Sequence, residues 1–202
     1  MRFDSPQALE RWLIERQMPL NRWGRADAKS VSHLWNELQA GECQLLDGPP
    51  LRVVTIATVW VRWEWRCLFE IAQEWADGRT RARQSPPSDK MHRGEPLRDA
   101  VLRCLWEELG VPAEDVTILD QPPLVRVVER ESTSYPGLLC RYTSYHVTVN
   151  VANLPDVPFR TAERSPAPSD PVRFHDWAWR PCDHSEPAPP VRSRRPTPSR
   201  SE

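Results

Sequence analysis

Lysine is nearly missing from this chain. Of its 27 basic residues only Lys29 and Lys90 are lysines, and the rest are arginine. The arginine excess reads as a bias in residue choice, so it gives no reason to expect nucleic acid as a partner. A formal net charge of -1 leaves no global field to draw nucleic acid or an anionic membrane. The amino-terminal stretch has no apolar run of signal-peptide length. The longest apolar stretch, around Val53 to Val61, is too short to span a bilayer as a helix, which excludes a membrane partner. The five cysteines (Cys43, Cys67, Cys104, Cys140, Cys182) are odd in number and contain no Cys-x-x-Cys or other zinc spacing. A soluble, cytoplasmic protein with reduced thiols is expected. Internal repeats are absent as well.

What is present suits one substantial core with extensions. The chain has 202 residues, 10 of them tryptophan and 22 proline. The tryptophans are spread over segments that read as folded, which points to core packing. The prolines crowd the region after Asp156. Three parts are expected: a helical extension over 1–48 packed on the core, an α/β (α+β) domain over 49–182, and a disordered Pro/Ser/Arg-rich tail over 183–202.

In the extension, Ser5 is an N-cap with Pro6 just inside, and Leu9, Trp12 and Leu13 share a face, predicting a helix to Arg16. A second helix is expected from Asp27 to Gln39, with Val31, Leu34, Trp35 and Leu38 at helical spacing. Leu51 to Val61 is apolar on both alternating faces, as a central strand covered on two sides would be. Arg62 to Arg66 reads as a hairpin and Cys67 to Glu74 as the returning strand. Further strands are expected at Val116–Leu119, Leu124–Val128, Tyr142–Val151 and Phe174–Trp179, with loop over Arg160–Pro171. Arg79, Arg81 and Arg83 recur with period two and would line one face of an extended segment. They read either as a solvated strand edge or as a grip on phosphate oxygens.

The densest signal is Asp89 to Val111. It opens as a polar turn and becomes a helix in which Leu97, Val101, Leu105 and Leu109 form an apolar stripe. Glu95, Arg103, Leu105, Glu107, Glu108, Gly110 and Val111 fall in register with Gly-x5-Glu-x7-Arg-Glu-U-x-Glu-Glu-x-Gly-U, where U is a bulky aliphatic residue. The stretch thus resembles the box of the Nudix hydrolase family. Two positions depart from it: Asp89 stands where a glycine belongs, and Cys104 where a glutamate belongs.

The resemblance implies a Nudix-like αβα sandwich with a mixed sheet, covering roughly Leu51 to Arg180. It implies a nucleoside diphosphate linked to another moiety as ligand, bound with magnesium or manganese and hydrolysed slowly. The alternative is a catalytically inactive module of that fold, sensing a nucleotide or meeting a protein. By resemblance Glu107 and Glu108 would hold metal, Glu95 and Arg103 would brace loop against helix, and these four are the candidate catalytic residues. Lys90, with Arg79, Arg81 and Arg83, would approach phosphate. Asp89 either tolerates a left-handed backbone in place of glycine or turns its carboxylate to the metal. Glu129, Glu131 and Glu163, read as residues of solvated loops, are substitutes for the missing base. Cys104 removes an oxygen ligand: a thiol is a soft ligand poorly matched to magnesium, and neighbouring carboxylates disfavour its ionisation. The ion would therefore be weakly bound. Homodimerisation, or a protein partner meeting the helical extension, completes the expected partners.

Overall fold

The computed structural model describes residues 1–25, 28–119, 122–164 and 172–182. The expected tail from 183 lies outside them, as do residues 165–171 of the expected loop. Two helices come first. In α1 (Pro6–Glu15) the Ser5 hydroxyl accepts from the Ala8 amide at 3.1 Å. Helix α2 (Val31–Gln39) starts later than the sequence implied, because Ser30 caps it. The Ser30 hydroxyl accepts from the His33 amide, and the His33 imidazole accepts from the Ser30 amide. Asp27, the expected start, lies outside the described residues.

Among the described residues ten strands follow, with one α-helix among them. β1 (Gln44–Leu46), β2 (Leu51–Trp63), β3 (Arg66–Trp75), β4 (Thr80–Ser85) and β5 (Ser88–Lys90) precede α3 (Leu97–Cys104). β6 (Val116–Ile118), β7 (Leu124–Glu131), β8 (Leu139–Val151), β9 (Phe159–Ala162) and β10 (Val172–Pro181) come after it. The fold is mixed α+β, a curled mixed sheet with few helices. β2 runs parallel to β8 from Leu51 beside Leu139 to Arg62 beside Asn150. Its other edge is shared by β1, β5 and the first residues of β3. β3 then leaves to pair with β4 and β10.

The two-faced β2 sorts the molecule into layers. Ala57, Val59 and Val61 face one way and, with Leu68, Val147, Val149 and Trp177, form a core under Val101, Leu105 and Leu109. Val54 and Ile56 face the other way, against Leu9, Leu13 and Leu34 of the arm and Tyr142 of β8. Truncating a buried leucine in either core should cost roughly 2–5 kcal/mol. The arm is tied down by polar contacts too: the Trp23 indole donates to the Pro136 carbonyl at 2.8 Å, and the Lys29 amide to Ser134. At the Pro136-Gly137 turn φ is +83° for Gly137, and a Cβ there would run into Pro19.

Three expectations need correcting. Cys67 and Cys182 form a disulfide, so the thiols are not all reduced. Antiparallel pairing of β10 on β3 sets Arg180 opposite Cys67, which brings together cysteines 115 residues apart, a proximity no spacing rule reads. Arg160–Ala162, expected as loop, belongs to strand β9, because β10 supplies its hydrogen-bond partners. Asp89 lies in β5 opposite Ala57 with an extended backbone, so no left-handed position is needed there; the loop's positive φ falls on Gly94.

Candidate functional site

Helix α3 does not run unbroken to Gly110. After Cys104 it widens into a π turn, Leu105–Leu109, and stops where Gly110 takes φ +70°. The left-handed backbone calls for glycine here, and the Arg164 guanidinium lies over the space a Cβ would fill and would have to swing aside for one. The π turn carries both Glu107 and Glu108, and such turns frequently sit at functional sites.

Arg103 is the hub of the loop and helix. Its Nε and Nη2 donate to the two carboxylate oxygens of Glu95 at 2.8 and 3.0 Å. Its Nη1 donates to Glu107 at 3.1 Å and pairs with Asp89, and Nη2 also reaches the Lys90 carbonyl at 2.9 Å. Burial opposes the Glu95 charge, but these bonds and one from the His92 amide hold its carboxyl below the usual range.

Neighbours on a strand point to opposite faces, and this separates Asp89 from Lys90. Asp89 turns to Arg103 and the box. Lys90 turns to the arm, where its ammonium donates to Glu37 at 2.9 Å and to Glu42 at 2.6 Å. Glu37 is itself bound by Arg52 at 2.6 Å and Lys29 at 2.8 Å. Burial alone would push Glu37 up, yet Lys90, Arg52 and Lys29 hold it down at about 2. Lys90 is thus engaged away from the helix carboxylates, a placement set by strand parity.

Cys104 is fully buried in the core beneath α3. Its thiol is pushed well up, first by burial and then by the charges of Glu108 and Asp89. Burial, more than the carboxylates, disfavours the thiolate. Glu107 is raised by burial and by Asp89, against the pull of Arg103. Glu108 is raised well above the carboxylate range by burial and by Glu70, Asp89 and Glu163, although His175 pulls the other way. Among the described residues the Glu108 carboxylate accepts no hydrogen bond and joins no ion pair.

The neighbours of Glu108 were the part that sequence reasoning missed. His175 Nδ1 lies 2.5 Å from Glu70 and its Nε2 lies 2.8 Å from Glu163, with the imidazole only 2% exposed. Burial disfavours the imidazolium, but the Glu163 and Glu70 bonds and the Glu108 charge raise its pKa to about 10. Glu163 is therefore nearly buried rather than in a solvated loop. A lone glutamate within the apolar run of β3 was the available signal for Glu70. Glu129 and Glu131 are exposed on β7, bonded to Arg141 and the Gly137 amide. Of the arginine row on β4 and its approach, Arg79 pairs with Asp77, Arg81 donates to Gln73, and Arg83 joins Glu70 at 2.9 Å.

The donor set at the end of α3 fits a hard divalent cation in kind and in charge: carboxylate oxygens raised by burial and by nearby carboxylates, with the Glu108 carboxylate accepting no hydrogen bond among the described residues. Among the described residues no three His, Cys, Asp or Glu side chains converge as a metal-binding group, and Asp89 and Glu107 are both turned to Arg103.

No family model matches the chain, and neither does any curated protein sequence. Solved structures do resemble it distantly. An Ap4A hydrolase from C. elegans is 19% identical, over 64% of this chain and 80% of that one, with a TM-score of 0.35. A Nudix hydrolase from Nitrosomonas europaea is 15% identical, over 62% of this chain and 70% of that one, at 0.37. A MutT Nudix hydrolase from Burkholderia pseudomallei is 18% identical, over 65% and 91%, at 0.34. Likenesses this distant carry no information about substrate or turnover.

Proposed function

We propose that this protein binds a nucleoside diphosphate linked to a second group, together with magnesium or manganese, and hydrolyses it slowly. One observation carries the reading: the surplus of carboxylates around the π turn. Glu107 and Glu108 are both raised, and among the described residues the Glu108 carboxylate accepts no hydrogen bond and joins no ion pair. Such a site suits a divalent cation, and a diphosphate is what a carboxylate-held divalent cation recruits. Glu107 and Glu108 would hold the ion, with Asp89 behind them; when bound, it would neutralise the diphosphate. The chain's own contribution is positioning: Arg103 clamps Glu95, Asp89 and Glu107 to one guanidinium and so fixes the loop against the helix.

A second reading has its own support. Cys104 is sealed in the apolar core, so the position offers no base, and general acid-base help is typically worth about a hundredfold or more. In that reading the site binds without turnover.

Thermal unfolding with ADP-ribose and manganese, beside an assay for released AMP, tests both. The expected result is stabilisation that requires ligand and ion together and disappears in Glu108→Gln. Stabilisation without product selects the binding module. No stabilisation by any diphosphate would end the proposal. A cytoplasmic location belongs to the same proposal. No helix among the described residues is long and apolar enough to cross a membrane. The Cys67–Cys182 bond, of a kind that reducing compartments open, weighs against that location.

A further inference from the structure

The sheet face beneath α3 extends beyond the helix. Ala57 and Val59 of β2 and Val147 and Val149 of β8 are buried there, yet Val53, Thr55 and Tyr145 on the same face are only half-buried. Over them lies a cleft of about 390 Å³, closed on one side by the turn that leaves α2 and on another by the box loop. Volumes of this order suit small ligands. The two walls touch: a Cβ on Gly41, where φ is +74°, would sit 3.3 Å from Arg93.

The lining divides by chemistry. Val53, Met91, Leu97 and the Tyr145 ring are apolar surfaces, and Met91 and Tyr145 offer a thioether and a π-face to a flat ring. Gln44, Thr55 and the Tyr145 hydroxyl can each both donate and accept, and no side-chain partner engages them among the described residues. His92 and Arg93 are exposed at the mouth, in reach of an anion. Glu95 also lines the wall, and its guanidinium partner Arg103 holds Glu107 as well. The cleft and the carboxylate surplus are therefore one guanidinium apart. Across β8 the same sheet face continues to Val125, opposite Tyr145 and 42% exposed, a bare apolar ledge beside the cleft.

We propose that this cleft seats the nucleoside, heterocycle and sugar together, of the diphosphate ligand; the inference rests on the function proposed above. The ring lies against Tyr145 and Met91, its polar edge meets Gln44 and Thr55, and the phosphates leave past Arg93 toward the Glu107–Glu108 turn. Because Gly41, Glu42 and Gln44 belong to the arm's exit, the arm is part of the binding site.

The chain's three methionines, Met1, Met18 and Met91, make the test site-resolved. The full-length protein with ¹³C-methyl methionine is titrated with adenosine, guanosine, cytidine and uridine, which carry no phosphate, and then with ADP. A saturable shift of the Met91 methyl, with Met18 of the arm core still, is expected for at least one nucleoside and its diphosphate. Gln44→Ala, at an exposed position, and Tyr145→Phe, which keeps the ring, should each weaken that response by up to about tenfold, a loss of 1.4 kcal/mol at most. Met91 silent to all four nucleosides overturns the inference. If ADP with manganese stabilises the protein while Met91 stays still, the cleft is wrong and the diphosphate reading survives. If adenosine moves Met91 but no diphosphate stabilises the protein, the cleft stands and the diphosphate reading fails.

Discussion

Two buried ionic clusters lie on opposite faces of the central sheet, and they are balanced differently. On the arm side, Arg52, Lys29 and Lys90 surround Glu37, and Lys90 also holds Glu42, so three cations face two carboxylates. Glu37 sits far below its ordinary range as a result. On the box side, Glu70 and Glu163 share one imidazolium with Arg83 also on Glu70, Glu95, Glu107 and Asp89 divide Arg103, and among the described residues the Glu108 carboxylate accepts no hydrogen bond. There burial and neighbouring charges push Glu107 and Glu108 up instead. In the first cluster every carboxylate is paired, although the buried Arg52 Nε makes no hydrogen bond among the described residues, and the cluster fastens the arm; the second is short of positive charge and remains receptive to a cation. The same residue types serve structure on one side and chemistry on the other, and charge balance makes the difference.

The largest break in this contrast should come from His175→Gln. Removing the imidazolium bonded to both Glu70 and Glu163 takes a cation from a site rich in carboxylates, with Arg83 still on Glu70, and should cost about 3–5 kcal/mol, read by urea unfolding at neutral pH. Arg52→Met on the arm side should cost less, about 1.5–3 kcal/mol, because Lys29 and Lys90 still hold Glu37. The reverse order would show that the arm cluster is the less redundant one.

The pH profile should separate the two sides. Glu37 has a depressed pKa, so its contribution is present above the ordinary value of 4.5 and is lost as pH falls toward about 2. His175 has a raised pKa, so the stability it brings is complete below 6.5 and is lost as pH rises through about 10. Thermal melts across pH should therefore show an acid limb blunted in Glu37→Gln and an alkaline limb blunted in His175→Gln. An unchanged alkaline limb in His175→Gln would assign that loss to other groups. The smallest effect, and the one of opposite sign, is expected for Glu108→Gln. Relieving the carboxylate surplus should stabilise the protein by roughly 0.5–2 kcal/mol, measured as a rise in melting temperature. A fall would mean that Glu108 is satisfied after all.

Much of the scaffold was legible. The Ser5 cap, the two-faced strand at Leu51–Val61 and the apolar stripe of α3 follow from local periodicity and capping chemistry, and the observed elements coincide with them. β1, β5 and β9 were not legible: each is three or four residues long and is held in place by its partner strand. For the site, residue types along the box were readable but their directions were not. Lys90 reads as a phosphate ligand until strand parity turns it to the arm, and Glu163 reads as a solvated loop residue until β10 brings His175 against it.

By itself the sequence determined what short-range physics can decide: where helices begin, which faces are apolar, and that Glu107 and Glu108 share a turn bounded by Gly110. Tertiary structure alone decided which charges face each other. That depends on strands 100 or more residues apart, such as the pairing of His175 with Glu70 and of Cys182 with Cys67. Electrostatic balance in a buried site is a sum over such neighbours, so no local window contains it.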